Sequence, residues 1–371
     1  MRRVLLFVLT LVLLLSMTVG AVEPIKIGVN LEMTGMLAGY GQMGWEGLQA
    51  FAEFQKLEVL GRPVEFVLVD NKSDKVEAAN ATSRLIEKEN VSAIIGTMTS
   101  GNMLAAGPIA EKYGVPMIGP STTNPLTTQG KKYVFRACFV DSFQAEVAAK
   151  FAYEDLGKRR AAIISDITND YCVALGKYFE KAFVQMGGQV VSKQYIKAGD
   201  QDFSAQLTAI KSANPDVIYT PNYYTEDALL AIQAKSLGLD VPMIGSDGAD
   251  VPEFLQIGKE SVEGFMYTGF WHPDAATEGL AKEFTEFFRE KYGKDPNAFG
   301  ALSIDSLMLL LDAIERAGSD DPKAIRDALE ASENVQTLTG VITIENGDAV
   351  RNAVIKEVRD GKPAYRATIN P

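Results

Sequence analysis

The sequence predicts an α/β protein of two similar lobes, each a mostly parallel sheet flanked by helices. Three observations carry that reading. Extended apolar runs alternate with helical runs from Ile25 onward. The alternation pauses around residues 133–137 and then restarts, so two βαβαβα series follow one another. No low-complexity linker separates the two series. That favours lobes between which the chain crosses more than once, with a cleft between them.

In the first series, residues 25–31 read as a strand, 44–54 as a helix, 64–70 as a strand and 75–90 as a helix. A third strand over 93–95 leads to a helix over 101–113, and a short fourth strand covers 115–118. The second series has helices over 143–156, 171–186, 204–212 and 225–237. Its strands cover 161–164, 190–195, 217–219 and 243–244. The last third is different. Residues 264–270 are extended, and helices follow over 279–291, 298–317 and 322–331. The chain ends in strands over 340–344 and 353–358, joined by a turn at Glu345-Asn346-Gly347-Asp348, where Asn-Gly is a hairpin signal.

The N-terminus reads as an address. Arg2-Arg3, an apolar run from Val4 to Leu15 and small residues up to Ala21 have the plan of a secretory signal peptide, residues 1–21, cleaved after Ala21. The apolar run is shorter than the ~20 residues of a membrane span. No Cys follows it, which counts against a lipid anchor. A chain of 371 residues exceeds what one core serves, so two lobes are expected. The formal charge is −12, and loss of Arg2 and Arg3 makes it more negative. An acidic exported protein is a poor partner for nucleic acid or anionic lipid. Cys138 and Cys172 are expected as two buried free thiols, with a disulfide as the alternative.

The chemistry-bearing stretch is Gly96-Thr97-Met98-Thr99-Ser100-Gly101. A strand that ends in a hydroxyl-rich turn and opens a helix offers unpaired N–H groups and partial positive charge. With no Lys or Arg in the turn, a single carboxylate suits it better than a triphosphate. The alternative is that Ser100 only caps its helix. Ligands of open parallel sheets sit outside the carboxyl ends of the strands. The strand-end loops of the first series, 33–44, 96–101 and 119–123, are rich in hydroxyls. Those of the second series, 165–171, 220–224 and 245–250, carry Tyr171, Tyr223, Tyr224 and Asp247. Donors for a carboxylate on one side, with aromatic walls and an anion for an ammonium on the other, suit a small zwitterion. Each tyrosine alone reads first as a packing residue with a wet hydroxyl.

Other chemistries find less support. Gly39-Tyr40-Gly41-Gln42-Met43-Gly44 matches G-x-G-x-x-G, with Asp70 beyond it, but Gly39 stands well past the strand end at Leu31. His272 is the sole histidine and reads as structural or as cleft rim, so a zinc site or a Ser-His-Asp set has little to build on. No cofactor and no metal are expected. A carboxylate-pair hydrolase needs no histidine and stays open, although nothing marks the pair.

The chain resembles the leucine/isoleucine/valine-binding proteins of bacterial ABC transporters, the type I periplasmic binding fold, over essentially all of the mature chain. The likeness rests on Ile25-Lys26-Ile27-Gly28, the loop Ala38-Gly39-Tyr40-Gly41, and Ile95-Gly96 leading to Ser100. It continues through Pro120-Ser121-Thr122-Thr123, the Tyr171 loop, Tyr219 to Tyr223, and Gly245-Ser246-Asp247-Gly248. The resemblance implies three crossovers between residues 22–141 plus 271–334 in one lobe and 142–270 plus 335–371 in the other. It implies that Ser100 binds a ligand carboxylate. Ser121 would offer its carbonyl, and Thr123 its hydroxyl, to an α-amino group. Asp247 would face the ammonium, while Tyr40, Tyr171 and Tyr223 line and close the cleft. Two positions depart from the family: Asp247 stands where Glu is common, one methylene shorter, and Ser121 where Ala is frequent. The implied protein is a periplasmic, monomeric, non-enzymatic receptor that closes like a flytrap on leucine or a related amino acid and serves a membrane permease. A sensory module, a binder of another small carboxylate, amide or aromatic compound, and an exported hydrolase are the alternatives. Met36, Trp45, Phe143 and Trp271 are candidate walls of the side-chain pocket.

Overall fold

The computed structural model describes residues 23–371, so the signal segment expected at 1–21 lies outside the described residues. Strand β1 (Ile25–Leu31) is buried along almost its whole length, as a central parallel strand must be. It lies between β3 (Arg62–Asp70) and β4 (Ala93–Gly96), both parallel to it. With the short β2 (Glu58–Val59), β5 (Met117–Gly119) and β6 (Val134–Arg136) the first sheet runs β2-β3-β1-β4-β5-β6. Strand order reverses around β1, which opens a crevice at the carboxyl ends of β1 and β4.

The first-lobe helices are α1 (Ala38–Phe54), α2 (Lys75–Glu87) and α3 (Ser100–Tyr113). Helix α1 begins six residues earlier than its apolar spacing indicates, so the glycine pattern lies inside a helix and not in a loop. The reason is close packing. A Cβ at Gly41 would stand 2.2 Å from the Glu32 carbonyl oxygen. One at Gly47 would stand 2.5 Å from the Gly300 backbone. These glycines let backbones approach and cradle no phosphate, which removes the dinucleotide reading.

The second sheet is built on β7 (Arg160–Asp166), β8 (Gln189–Ile196), β9 (Val217–Tyr219), β10 (Met243–Gly245) and β11 (Met266–Gly269). Antiparallel β15 (Ala353–Arg359) and β16 (Lys362–Ile369) extend it, in the order β16-β15-β11-β10-β9-β7-β8. Helices α4 (Asp141–Lys150), α5 (Asp170–Gln185), α6 (Ser204–Ala213) and α7 (Tyr224–Ser236) accompany it. So does α8 (Pro252–Gly258), an element absent from the sequence reading. Strand order reverses at β7, which gives the second crevice.

Helices α9 (Gly279–Tyr292), α10 (Ala298–Ala317) and α11 (Pro322–Glu330) return to the first sheet's side, where α10 packs along α1. The C-terminal region corrects the expected strand pairing. The Asn346-Gly347 turn joins β13 (Val341–Glu345) to β14 (Asp348–Val350), not to β15. With β12 (Val335–Gln336) these form a separate three-stranded sheet. It lies against the first lobe: Arg136 N donates to the Gly347 carbonyl at 2.9 Å, and the buried Arg136 pairs with Asp348 at 2.7 Å. Residues 335–350 therefore sit with the first sheet, and only the chain from β15 onward joins the second. A hairpin carries its turn wherever its edge finds a partner, and the turn signal cannot say which edge that is.

Candidate functional site

The Gly96–Gly101 stretch is held from below by a buried acid that the sequence reading passed over. Glu32 follows β1 directly. Its carboxylate accepts from Met98 N (3.0 Å), Thr99 N (3.2 Å), Thr99 Oγ1 (2.8 Å) and Asn102 Nδ2 (2.9 Å). Burial raises the Glu32 pKa, and these bonds oppose the rise. Gly96 has φ +125°, and a Cβ there would stand 2.0 Å from the Asn30 carbonyl oxygen, so the turn admits only glycine. Thr99 occupies the N-cap position of α3, yet its hydroxyl goes to Glu32 and makes no cap bond. Ser100 is the first helical residue and does not cap its own helix. Its Oγ accepts from Asn124 N at 3.1 Å, so the hydroxyl proton remains free to be given elsewhere. Beside it point the first-turn N–H groups, which no helix can satisfy internally.

The next strand end adds Ser121 and Thr123. Ser121 Oγ donates to the Met98 carbonyl at 2.7 Å. The Ser121 carbonyl accepts from Thr123 N at 3.1 Å and keeps a second lone pair. Thr123 Oγ1 is buried with no partner.

The facing wall comes from the second sheet. Tyr171 stands at the start of α5, whose cap is the Asn169 side chain accepting from Tyr171 N. The Tyr171 hydroxyl donates to Asp247 Oδ1 at 2.7 Å and meets Ser246 Oγ at 2.6 Å. Gln144 of α4 also donates to Asp247 Oδ1. Burial pushes the Asp247 carboxyl well above the ordinary carboxylate range, against the pull of the Tyr171 bond. Tyr223 stacks on Tyr171 with centroids 5.4 Å apart, and Tyr40 reaches Tyr223 at 5.5 Å and Phe299 at 4.9 Å.

Between these walls lies a small cavity of about 10 Å³. Six of the seven expected residues line it: Tyr40, Ser100, Ser121, Tyr171, Tyr223 and Asp247. Thr123 is not in the lining; it is buried next to Ser121, with its hydroxyl unpartnered. Met98, Thr99 and Phe299 complete the lining. Phe299 was missed because it comes from a distant helix. The available signal was Asn297, whose side chain accepts from Gly300 N and so places Phe299 in the first turn of α10. None of Met36, Trp45, Phe143 and Trp271 reaches the cavity. Met36 stands instead at the cleft mouth, and Trp45 packs edge-on against Phe66.

The two walls are clasped. The Tyr40 hydroxyl donates to the Gly248 carbonyl at 2.7 Å, and the Tyr224 hydroxyl to the Met36 carbonyl at 2.6 Å. Asn124 Nδ2 donates to the Asp170 carbonyl at 3.0 Å, and Lys75 pairs with the Asp170 carboxylate at 3.1 Å. Elsewhere, His272 is bound up structurally, with Nδ1 accepting from Asp274 N and Nε2 near the Pro363 carbonyl. Cys138 and Cys172 are buried free thiols. Among the described residues no cluster of His, Cys, Asp or Glu could hold a metal ion, and no helix is long and apolar enough to cross a membrane.

Two sheets that close their carboxyl ends over one small cavity define a solute-binding protein built to clasp its ligand. A sequence profile described as periplasmic binding protein matches residues 24–363. The chain belongs to this family, in its Leu/Ile/Val-binding branch of type I fold. It is 48% identical to a leucine-binding protein, LivK, of Thermotoga maritima, with a TM-score of 0.91, covering 94% of this chain and 99% of that one. It is 32% identical to the branched-chain amino acid transporter substrate-binding protein LivJ of Streptococcus pneumoniae, solved in complex with isoleucine; the TM-score is 0.88, covering 94% of this chain and 100% of that one. The Leu/Ile/Val-binding protein BraC3 of Rhizobium johnstonii is 32% identical over 345 residues, covering 91% of this chain and 92% of the relative. Proteins of this kind bind solutes and are not enzymes.

Proposed function

We propose that this protein captures a branched-chain amino acid, leucine or isoleucine, between its lobes and presents it to the permease of an ABC uptake transporter. The observation that carries the reading is the polarity of the cavity. One wall holds the Ser100 hydroxyl and the open N-terminus of α3, which suit a carboxylate. The facing wall holds Asp247, which suits an ammonium. Both bonds to Asp247 fall on Oδ1, leaving Oδ2 for the ligand. In this reading Gln144 and Tyr171 hold the short acid in place where a longer Glu is common. The Ser121 carbonyl adds an acceptor for the amino group, and the unpartnered Thr123 hydroxyl beside it adds another once a ligand widens the cavity. Tyr40, Tyr223, Met98 and Phe299 surround the side chain. The isoleucine bound by the pneumococcal relative supports the same class of ligand.

One lobe would comprise residues 22–141 with 271–350, and the other 142–270 with 351–371. Ligand shifts the lobes toward closure by its differential affinity for the closed form. Export through the segment 1–21, with cleavage after Ala21, would place the receptor in the periplasm as a monomer.

Calorimetric titration of leucine, isoleucine and valine against wild type and Asp247→Ala tests the reading. A charge-assisted bond contributes ~1.5–3 kcal/mol. The variant is therefore expected to bind about 10- to 150-fold more weakly. Equal affinities would overturn the role of Asp247, and a wild type that binds none of the three would overturn the ligand class.

A further inference from the structure

Behind the cavity lies a second carboxyl group. Asp141 opens α4 directly after the chain's first passage from one lobe to the other. It is fully buried, and neither carboxylate oxygen has a hydrogen-bond partner. Unpartnered buried polar groups are rare in native interiors and call for a reason. Asp141 N donates to the Thr123 carbonyl at 2.9 Å, which locks the two residues together. The Thr123 hydroxyl lies beside the carboxyl, near enough to favour its charge but outside good hydrogen-bond geometry. One helical turn on, Gln144 donates to Asp247 and keeps its own Oε1 buried and unpartnered. Thr123, Asp141 and Gln144 thus form a polar seam running from the hydroxyl wall to Asp247.

The charge of Asp141 is finely balanced. The N-terminus of α4 and Arg136 of β6 favour the ionised form. Burial opposes them and prevails, pushing the carboxyl up to about 7. Among the described residues Arg136 is the cation that acts on it. The other titratable groups around it are Asp247 after β10, Tyr171 and Cys172 on α5, Tyr219 on β9, and Cys138 in the passage itself.

We propose that Asp141 is a positioning residue for the ammonium end of the site: it takes the Thr123 O–H, so that Thr123 Oγ1 turns a lone pair to the ligand's amino group. This rests on the amino-acid reading above. A hydroxyl has one proton to give. An ionised Asp141 accepts that proton's bond and makes Thr123 an acceptor for a cation. A protonated Asp141 can donate to Thr123 and reverse its polarity. Capture of a cation by protein with Asp141 protonated therefore expels a proton. The ionised form binds better, so affinity falls as pH drops through about 7. The fall is at most about tenfold per pH unit for each proton expelled. Asp247 can contribute a second proton, and comparison of variants separates the two.

The test is calorimetry with isoleucine across about pH 5.5–8.5, in buffers of different ionisation enthalpy that count the protons released. Asp141→Asn is expected to weaken binding at the alkaline end and to release fewer protons than wild type, about half a proton fewer at pH 7 and approaching one below it. Thr123→Val deprives Asp141 of its nearest donor. It should move the midpoint of the pH dependence upward, and it serves even where Asp141→Asn does not fold. With a wild type that binds isoleucine, an Asp141→Asn variant of unchanged pH profile and proton release overturns the inference. So does a Thr123→Val variant of unchanged midpoint. A wild type that binds no amino acid at any pH defeats the functional reading itself, and the inference falls with it.

Discussion

The Tyr40 hydroxyl offers a direct probe of closure. It donates to the Gly248 carbonyl across the cleft at 2.7 Å, and the ring is almost wholly buried. Tyr40→Phe deletes this bond and keeps the ring contacts with Tyr223, Tyr224 and Phe299. In the open form water reaches the Gly248 carbonyl, so the substitution costs little there. In the closed form the carbonyl is left buried without its donor, at ~1–3 kcal/mol. Because ligand is held by the closed form, that penalty appears in affinity, as a loss of about 5–150-fold. The bond forms only after the lobes meet, so the loss should lie in the dissociation rate and not in the association rate. Stopped-flow binding of isoleucine together with calorimetry reads both quantities. The ligand-free melting temperature should stay close to that of wild type. An affinity within about twofold of wild type, or a loss carried by slower association, would refute the reasoning.

Two further outcomes follow from buried groups. Glu32→Ala strands the donors at Met98 N and Thr99 N, each costing ~1–3 kcal/mol, so the melting temperature should drop by several degrees and isoleucine affinity should fall. Glu32→Gln, which keeps an acceptor oxygen, should suffer less, and a Glu32→Ala variant with both properties intact would remove this acid from the site's support. Burial pushes both thiols up, Cys138 and Cys172 alike, so thiolate is scarce at ordinary pH. A thiol reagent should leave native protein unlabelled and modify both residues on denaturation, and a reductant should leave the melting temperature unchanged; labelling of folded protein faster than it unfolds would contradict that burial.

Much of the architecture was legible because periodicity is local. The apolar run of β1, the helical spacing on α5 and the restart after β6 all follow from side chains within a few turns of one another. The start of α1 was not legible, because glycines at 39, 41 and 44 weaken the local helix signal. Gly41 is there for the Glu32 backbone and Gly44 for the Ser303 and Met98 side chains, partners whose approach no local pattern records. The fate of the Asn346-Gly347 turn is similar. Its geometry was evident, whereas its attachment to β6 depends on an edge some two hundred residues away in the chain, as the Thr128–Asp348 contact reflects.

The site divides along the same line. Ser100, Ser121 and Asp247 sit at the ends of parallel strands, where an α/β sheet must place ligand-facing loops, so strand-end logic alone could nominate them. Position at a strand end says nothing about what supports the loop. Glu32 beneath the Gly96–Gly101 turn, Gln144 against Asp247 and Phe299 from α10 act across 66, 103 and more residues of sequence. Thr123 shows the converse, a residue at the strand end whose hydroxyl falls outside the cavity lining and beside Asp141. By itself the sequence determined two α/β lobes, their strand-end hydroxyls and the acid facing them, because these follow from local periodicity and from the polarity of parallel strands. Only the tertiary structure decided which groups touch, which acids stay unpaired and how the lobes clasp, because burial and hydrogen bonding are settled by neighbours that the chain brings together last.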